Sequence, residues 1–233
     1  MTDIAVLEAI HTARALRRFK PDPVPETVIT QVLDAAIRAP SAGNAQNWAF
    51  VVVRDVEQRR KLGALYRKAS DVASAMYAAR GRPGHMTEEQ FQRFMRSGEY
   101  LRDHMADAPV ILIACQARPR LPAPESLPLD FRDGVADEER YVARIRGASI
   151  YPAVQNVVLA CRALGLGTTI TTNHIRCEEE VKAVLDIPED VDTFAMMPIG
   201  YPVGKFGAVT RRPLCEVAHA DRWSQAWSGN AAD

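Results

Sequence analysis

One uncharged segment, residues 39–48, carries side chains suited to binding a small polar ligand. Ser41 supplies a hydroxyl, and Asn44 and Gln46 supply amides that both donate and accept hydrogen bonds. Gly43 adds backbone freedom, and no residue of the segment is charged. These residue types indicate a site that hydrogen-bonds the edge of a neutral polar heterocycle.

Two groups of arginines could bind a phosphate. The first contains Arg14, Arg17 and Arg18; on one helix Arg14 and Arg17 would share a face, and each could present a bidentate guanidinium to one dianion. The alternative is structural, because the helix macrodipole stabilises a cation in the last turn by about 0.3–1 kcal/mol without any ligand. The second group, Arg211 and Arg212, precedes a proline, and a basic pair in a tail is usually only solvated. Two separate basic groups suit a monophosphate, and with the uncharged segment they would suit a ligand the size of flavin mononucleotide (FMN).

Composition and motif spacing argue against several other functions. Basic and acidic residues number 29 each, so no net charge attracts nucleic acid or an anionic membrane. The cysteines and histidines lack the spacing of a metal site or a disulfide framework, which predicts no bound metal. Gly165-Leu166-Gly167 follows a predicted helix rather than a strand, so it does not fit a dinucleotide-binding loop. Because no signal-type run and no apolar run of about 20 residues occurs, the chain is expected to be cytoplasmic.

The pattern of apolar residues predicts alternating helices and strands. Helices are expected at about 4–20, 25–39, 55–80, 87–105, 149–164 and 178–185. Strands are expected at 48–53, 110–115, 168–172 and 194–200, the first of them as an interior strand covered on both faces. The proline-rich stretch from 119 to about 140 and the tail after residue 200 are predicted to be irregular. No shift in composition marks a boundary, so we expect a single domain over residues 1–233, with a helical lid at about 66–105.

The motifs together resemble those of the FMN-dependent nitroreductase family. They are Arg14-Ala15-Leu16-Arg17-Arg18-Phe19, Ala39-Pro40-Ser41 through Asn44, Gln46 and Trp48, Leu164-Gly165-Leu166-Gly167, Gly200-Tyr201-Pro202 and Arg211-Arg212-Pro213. The resemblance implies an α+β fold of three layers, in which helices flank a central, mostly antiparallel sheet. It also implies an intertwined homodimer with two FMN sites at the dimer interface, each of which draws on both subunits.

The resemblance assigns FMN-binding roles to residues of each motif. By position, the expected contacts are Arg14, Ala15, Arg17, Pro40, Ser41, Ala42, Asn44, Gln46, Ile170, Thr171, Thr172 and Arg211. Arg17 and Arg211 would lie on the phosphate side, and the residues of the uncharged segment would come largely from the partner subunit. Ala13 and Ala15 stand where the family usually has an arginine and a serine, so their side-chain contacts are missing, although the backbone N–H of Ala15 can still donate.

The resemblance implies an oxidoreductase of small molecules. NAD(P)H would reduce bound FMN and leave, and an electron-poor acceptor such as a nitroaromatic or a quinone would follow, in a ping-pong mechanism. Ile170, Thr171 and Thr172 would lie by the reactive edge of the flavin, where a donor stabilises developing negative charge. The paired threonines resemble the iodotyrosine-deiodinase-like branch, in which a threonine hydroxyl is associated with one-electron chemistry, and Thr172 is the candidate catalytic residue.

Three alternatives are open at this point. The same fold could carry out reductive dehalogenation, it could cleave a flavin, or it could be a flavin-binding dimer without catalysis. Arg102 falls near the position at which the deiodinase-like branch has a substrate-contacting lysine, so it is a candidate substrate ligand, although such a residue more often lies on a solvated helix face.

Overall fold

The computed structural model describes residues 4–120, 122–128 and 135–229. The helices are α1 (Val6–Thr12), α2 (Glu26–Ala36), α3 (Val56–Arg80), α4 (Glu88–His104), α5 (Val135–Ile145), α6 (Ile150–Ala163) and α7 (Glu178–Leu185). The strands are β1 (Trp48–Val53), β2 (Val110–Ala117), β3 (Gly167–Thr168) and β4 (Val191–Gly200). None of the described helices has the length and the apolar composition that a membrane span requires.

The four strands of the described residues form one sheet in the order β1-β2-β4-β3, and each neighbouring pair is antiparallel. Side chains alternate between its faces because successive residues of a strand point in opposite directions. Leu112 and Ala114 of β2 therefore pack against α2 and α6, whereas Ile111 and Ile113 pack against α3 and α7. Both sets are buried, so helices cover the sheet on each side, and the predicted three-layer α+β architecture is confirmed.

Residues at the ends of several predicted helices act as local start or stop signals. Asp55 caps α3 by accepting a hydrogen bond from the Gln58 N–H at 2.8 Å. Thr87 and Gln90 form a capping box at the start of α4, with each side chain bonded to the backbone of the other. Gly165 follows α6 with a φ of 75°, the left-handed conformation that ends many helices.

The first helix is shorter than predicted. Helix α1 ends at Thr12, and residues 14–19 are not helical. Its Leu7 and Ile10 side chains are exposed, and Ala9 is the buried residue of the helix. Asp3 precedes the start of the predicted helix, where its side chain could serve as the cap, and it lies outside the described residues.

Three further predictions about elements were wrong. Strand β1 is an edge strand with mostly half-buried side chains rather than an interior strand, although both of its faces pack against the core as predicted. Residues 135–145 form α5 within a stretch predicted to be irregular to about residue 140, although its charged residues give it a polar, exposed surface. Strand β3 contains two residues rather than five, because only Gly167 and Thr168 pair continuously with β4.

Candidate functional site

Residues 14–19 run in an extended conformation beside the short strand β3. The Leu16 N–H donates to the Thr168 carbonyl oxygen at 3.0 Å, and the Lys20 N–H donates to the Tyr201 carbonyl oxygen at 2.8 Å. Leu16 is buried, and Gly167 allows its approach, since a Cβ at position 167 would lie 3.1 Å from the Leu16 Cβ. Tertiary hydrogen bonds and this burial therefore replace the helix that local spacing predicted.

This segment forms one wall of a cavity of about 480 Å³, and α4 forms the opposite wall. The residues that line it, here called the arginine groove, are Arg14, Ala15, Leu16, Arg17, Arg18, Arg93, Arg96, Ser97, Tyr100 and Gly204. Arg17 Nη1 donates to Ser97 Oγ at 3.1 Å, and the Arg18 guanidinium lies over the Tyr100 ring at 4.2 Å from its centroid. Burial lowers the pKa of the Arg17 guanidinium from its ordinary value, and the nearby Tyr66 opposes this shift.

The arginine groove holds positive charges that lack acidic partners. Several arginines elsewhere pair with carboxylates, as Arg118 does with Asp192 at 2.8 Å, whereas Arg54 and Arg59 donate to backbone carbonyl oxygens. Among the described residues, Arg14, Arg17 and Arg96 form no ion pair with any carboxylate. Like charges held together without counter-charge repel one another, and an anion bound between them would relieve that repulsion. The groove is therefore suited to an anion with several oxygen acceptors.

Thr171 lies in the loop that follows β3, and hydrogen bonds of both its backbone and its side chain hold it in place. Thr171 exchanges two backbone hydrogen bonds with Met196 of β4, at 3.2 and 2.9 Å. Its hydroxyl oxygen lies 3.1 Å from the Tyr66 hydroxyl and accepts the Asn173 N–H at 3.4 Å. Thr172 and Ile170 are exposed, and the Thr172 hydroxyl has no hydrogen bond within the described part of the chain.

Tyr66 contacts this loop and lies near Arg17 of the arginine groove. Its side chain is buried, its hydroxyl contacts Thr171, and it lies close enough to Arg17 to affect the guanidinium electrostatically. Sequence reasoning missed Tyr66 because the contact joins α3 to a loop 105 residues later. The structure therefore brings together the predicted residues Arg14, Ala15 and Arg17 on one side and Thr171 on the other.

His174 follows the same loop and anchors it to strand β4. It is fully buried, and its Nε2 lies 3.1 Å from Thr193 Oγ1, which in turn lies 2.8 Å from Glu178 Oε1. The Thr193 hydroxyl proton goes to the carboxylate, so His174 Nε2–H must be the donor to Thr193 Oγ1. Burial lowers the pKa of His174 to about 4, and Glu178 opposes the shift only partly.

The uncharged segment forms a hydrogen-bonded loop before β1. The Gln46 N–H donates to Ser41 Oγ and the Ala42 N–H to Ser149 Oγ, each at 3.1 Å, and Gln46 Nε2 donates to Asn44 Oδ1 at 3.0 Å. Pro40, Ala42, Asn44 and Gln46 are exposed, and Ser41 is half-buried.

Within one chain this loop is distant from the arginine groove. The loop leads into β1 at one edge of the sheet, whereas the groove adjoins β3 at the other edge. Trp48 is level with the start of β4, and Thr168 is level with its end. With strands about 4.8 Å apart and a rise of about 3.4 Å per residue, the two features are about 25–30 Å apart.

Two predicted cations lie outside the arginine groove. Arg211 lines a neighbouring cavity of about 690 Å³, together with Arg93, which belongs to both cavities, and with His85 and Glu216. Arg102 pairs with Asp71 at 3.3 Å and with Asp103 at 3.0 Å, and these carboxylates raise its pKa. Its charge is therefore already neutralised by neighbours.

The fold and the site define an α+β protein with a basic groove at one edge of an antiparallel sheet. The sequence matches the model of the nitroreductase family over residues 10–201. The chain therefore belongs to the nitroreductase family.

Three comparisons agree with this membership. The NADH dehydrogenase of Thermus thermophilus is 29% identical, in a match that covers 86% of this chain and 88% of that protein. A BluB-like flavoprotein from Clostridium difficile 630 superposes with a TM-score of 0.70 at 20% identity, covering 94% of this chain and all of that one. An iodotyrosine deiodinase bound to FMN and 3-iodo-L-tyrosine superposes with a TM-score of 0.65 at 17% identity, covering 95% of this chain and 100% of that one. At these identities the two structures establish a shared fold.

Proposed function

We propose that this protein is an FMN-dependent oxidoreductase that takes electrons from NAD(P)H and reduces electron-poor acceptors of the nitroaromatic or quinone type. The observation that carries the proposal is the arginine groove, in which Arg14, Arg17 and Arg96 lack carboxylate partners within the described part of the chain, and which lies beside the loop that contains Thr171 because the Leu16 N–H donates to the Thr168 carbonyl oxygen. One end of such a site suits a phosphate, and the other offers hydroxyl groups to the edge of a ring.

The residues of the arginine groove fit the phosphate end of FMN. Guanidinium groups bind phosphate oxygens through paired N–H donors, and Ala15 lines the same groove. The half-buried Arg17 is held in place by Ser97, so little side-chain freedom would be lost on binding. Arg14 and Arg17 would hold the cofactor, and the chemistry that FMN supplies when bound is acceptance of a hydride and onward transfer of electrons.

The loop after β3 would serve the reacting edge of the ring. Thr171 is already oriented by Tyr66 and Asn173, whereas Thr172 has an exposed hydroxyl that is free to donate a hydrogen bond. A donor at this edge stabilises negative charge that develops during reduction. Thr172 is therefore the residue assigned to catalysis, and Ile170 would pack against the ring. NAD(P)H and the acceptor would use the site in turn, which is a ping-pong mechanism.

A second copy of the chain would complete the site. The uncharged loop lies about 25–30 Å from the arginine groove of its own chain, so its polar groups would reach the cofactor of a partner subunit. Exposed apolar side chains of α1 and the tail would be covered in a homodimer. They are Val6, Leu7, Ile10, Val203, Leu214, Val217, Trp223 and Trp227. Light scattering coupled to gel filtration should give the mass of a dimer, and the mass of a monomer would contradict this arrangement.

Anaerobic spectroscopy of the purified protein tests the proposed function. After reconstitution with FMN, the protein should show the absorption of an oxidised flavin, which NADH or NADPH should bleach and a nitroaromatic or quinone should restore. A protein that binds FMN but stays oxidised in excess of both nucleotides would be a flavin-binding dimer without this activity. Release of halide from a halogenated tyrosine, without turnover of nitroaromatics or quinones, would instead favour reductive dehalogenation.

A further inference from the structure

Helix α4 presents four groove residues on one face. Arg93, Arg96, Ser97 and Tyr100 are spaced by three, one and three positions, so they lie on the same side of the helix and line the arginine groove opposite residues 14–18. The buried residues Phe91 and Leu101 of α4 do not line the groove. The helix thus packs through one set of side chains and presents another set to the groove.

The charges on this face are not explained by ion pairs. Arg96 has no carboxylate partner within the described ranges, and Arg93 has a loose one, Glu89, at 3.9 Å with both side chains mostly exposed. A solvated helix surface usually intersperses acids with bases. Here the cations of α4 instead face Arg14 and Arg17 across a cavity, an arrangement that raises electrostatic repulsion unless an anion is bound.

Ser97 has a hydrogen available for such an anion. Its Oγ accepts the hydrogen bond from Arg17 Nη1, and its hydroxyl hydrogen has no acceptor among the described residues. A serine hydroxyl has one donor as well as two lone pairs. Ser97 can therefore accept from Arg17 and donate to an anion at the same time.

We propose that α4 completes the phosphate site of the flavin in this chain. Ala13 and Ala15 leave the first motif without an arginine and a hydroxyl, and α4 supplies both kinds of group, with Arg96 as the guanidinium and Ser97 as the hydroxyl. Arg93 extends the positive charge toward Arg211, since it lines both cavities. This inference rests on the proposed function and adds a helix of the predicted lid region to the cofactor site.

Comparison of FMN with riboflavin tests the inference, because riboflavin has the same ring system without the phosphate. Affinities for both flavins are measured by quenching of flavin fluorescence on the full chain, for the unchanged protein, Arg96→Gln and Ser97→Ala. Arg60→Gln is the matched control, since it also removes one exposed positive charge but lies on α3 and pairs with Glu57. Circular dichroism checks that each variant is folded.

Arg96→Gln should weaken FMN binding about tenfold and leave riboflavin binding unchanged, and Ser97→Ala should act in the same direction with a smaller effect. The FMN effect of Arg96→Gln should shrink at high salt. An unchanged affinity for FMN in both variants, an equal loss for both flavins, or the same loss in Arg60→Gln would overturn the inference. If the unchanged protein binds neither flavin, the proposed function fails instead, and this result is distinct from the others.

Discussion

Mild acid should destabilise the protein through one buried side chain, His174. Its Nε2–H donates to Thr193 Oγ1, and its Nδ1 is buried without a hydrogen-bond partner among the described residues. A second proton on Nδ1 would place a positive charge in this buried site. Glu178 is the nearby group that favours the charged form, but burial dominates. The native state therefore holds His174 neutral.

The size of the effect follows from the pKa of His174, which falls from its ordinary value of 6.5 to about 4 in the folded protein. Because the folded pKa is the lower one, the unfolded chain binds the proton first as the pH drops. The stabilising contribution is fully present above about pH 6.5 and is lost progressively as the pH falls to about 4. A change of one unit in pKa corresponds to about 1.36 kcal/mol, so the total contribution of His174 to the free energy of unfolding is about 3 kcal/mol. About 2 kcal/mol of this should be lost by about pH 5.

Urea unfolding at several pH values measures this loss. The free energy of unfolding should fall between about pH 7.5 and about pH 5, and the fall should be smaller by about 2 kcal/mol in His174→Gln. Glutamine keeps an amide N–H that can donate to Thr193 but does not titrate. His85→Gln, at an exposed position, is the control and should keep the full pH dependence. Equal pH dependence in His174→Gln and the unchanged protein would refute the reasoning.

Three substitutions test other parts of the structure. Arg17→Ala should weaken FMN binding by about 1.5–3 kcal/mol, because a charge-assisted contact is lost, and unchanged flavin content after dialysis would count against its role. Thr172→Ala should shift the midpoint potential of bound flavin, and an unaltered anaerobic redox titration would remove its assigned role. Gly200→Ala should lower stability by about 1–3 kcal/mol, because its Cβ would lie 2.7 Å from Pro109 Cδ, and an unchanged thermal midpoint would contradict this tight packing.

Features that depend on neighbouring residues could be predicted from the sequence. The capping box of Thr87 and Gln90 and the left-handed Gly165 are set by residues within one helical turn. Helix α6 was predicted because its apolar residues repeat at helical spacing, and Val154 and Val157 of that stripe are indeed buried. Such signals require no knowledge of what lies across the core.

Features that depend on distant residues could not be predicted in the same way. Residues 14–18, which include the three arginines, were expected on a helix. Instead they are extended, and the Leu16 N–H donates to the carbonyl oxygen of Thr168, which lies more than 150 positions later. The apolar run of β1 predicted an interior strand, because such a run shows that both faces are covered but does not show whether another strand pairs with each edge. Only the sheet order identifies β1 as an edge strand.

The candidate site shows the same division. Arg14 and Arg17 were identified from their spacing and resemblance, and the structure places both in one groove. Arg96 and Ser97 were not identified, although their spacing on one face of α4 is visible in the sequence, because nothing local shows that this face lies opposite residues 14–18. The cavity could be recognised only from the structure, because its two walls, residues 14–18 and α4, are far apart in the sequence.

The backbone of the uncharged loop has a consequence for the entropy of binding. Gly43, Asn44 and Gln46 all have φ values between 47° and 58°, a left-handed conformation that asparagine and glutamine adopt at a cost. Two backbone hydrogen bonds, from the Gln46 N–H to Ser41 Oγ and from the Ala42 N–H to Ser149 Oγ, hold this conformation in the protein without any ligand. The loop has therefore already lost its conformational freedom when the chain folds, so docking against a ring or a second subunit would require little further ordering.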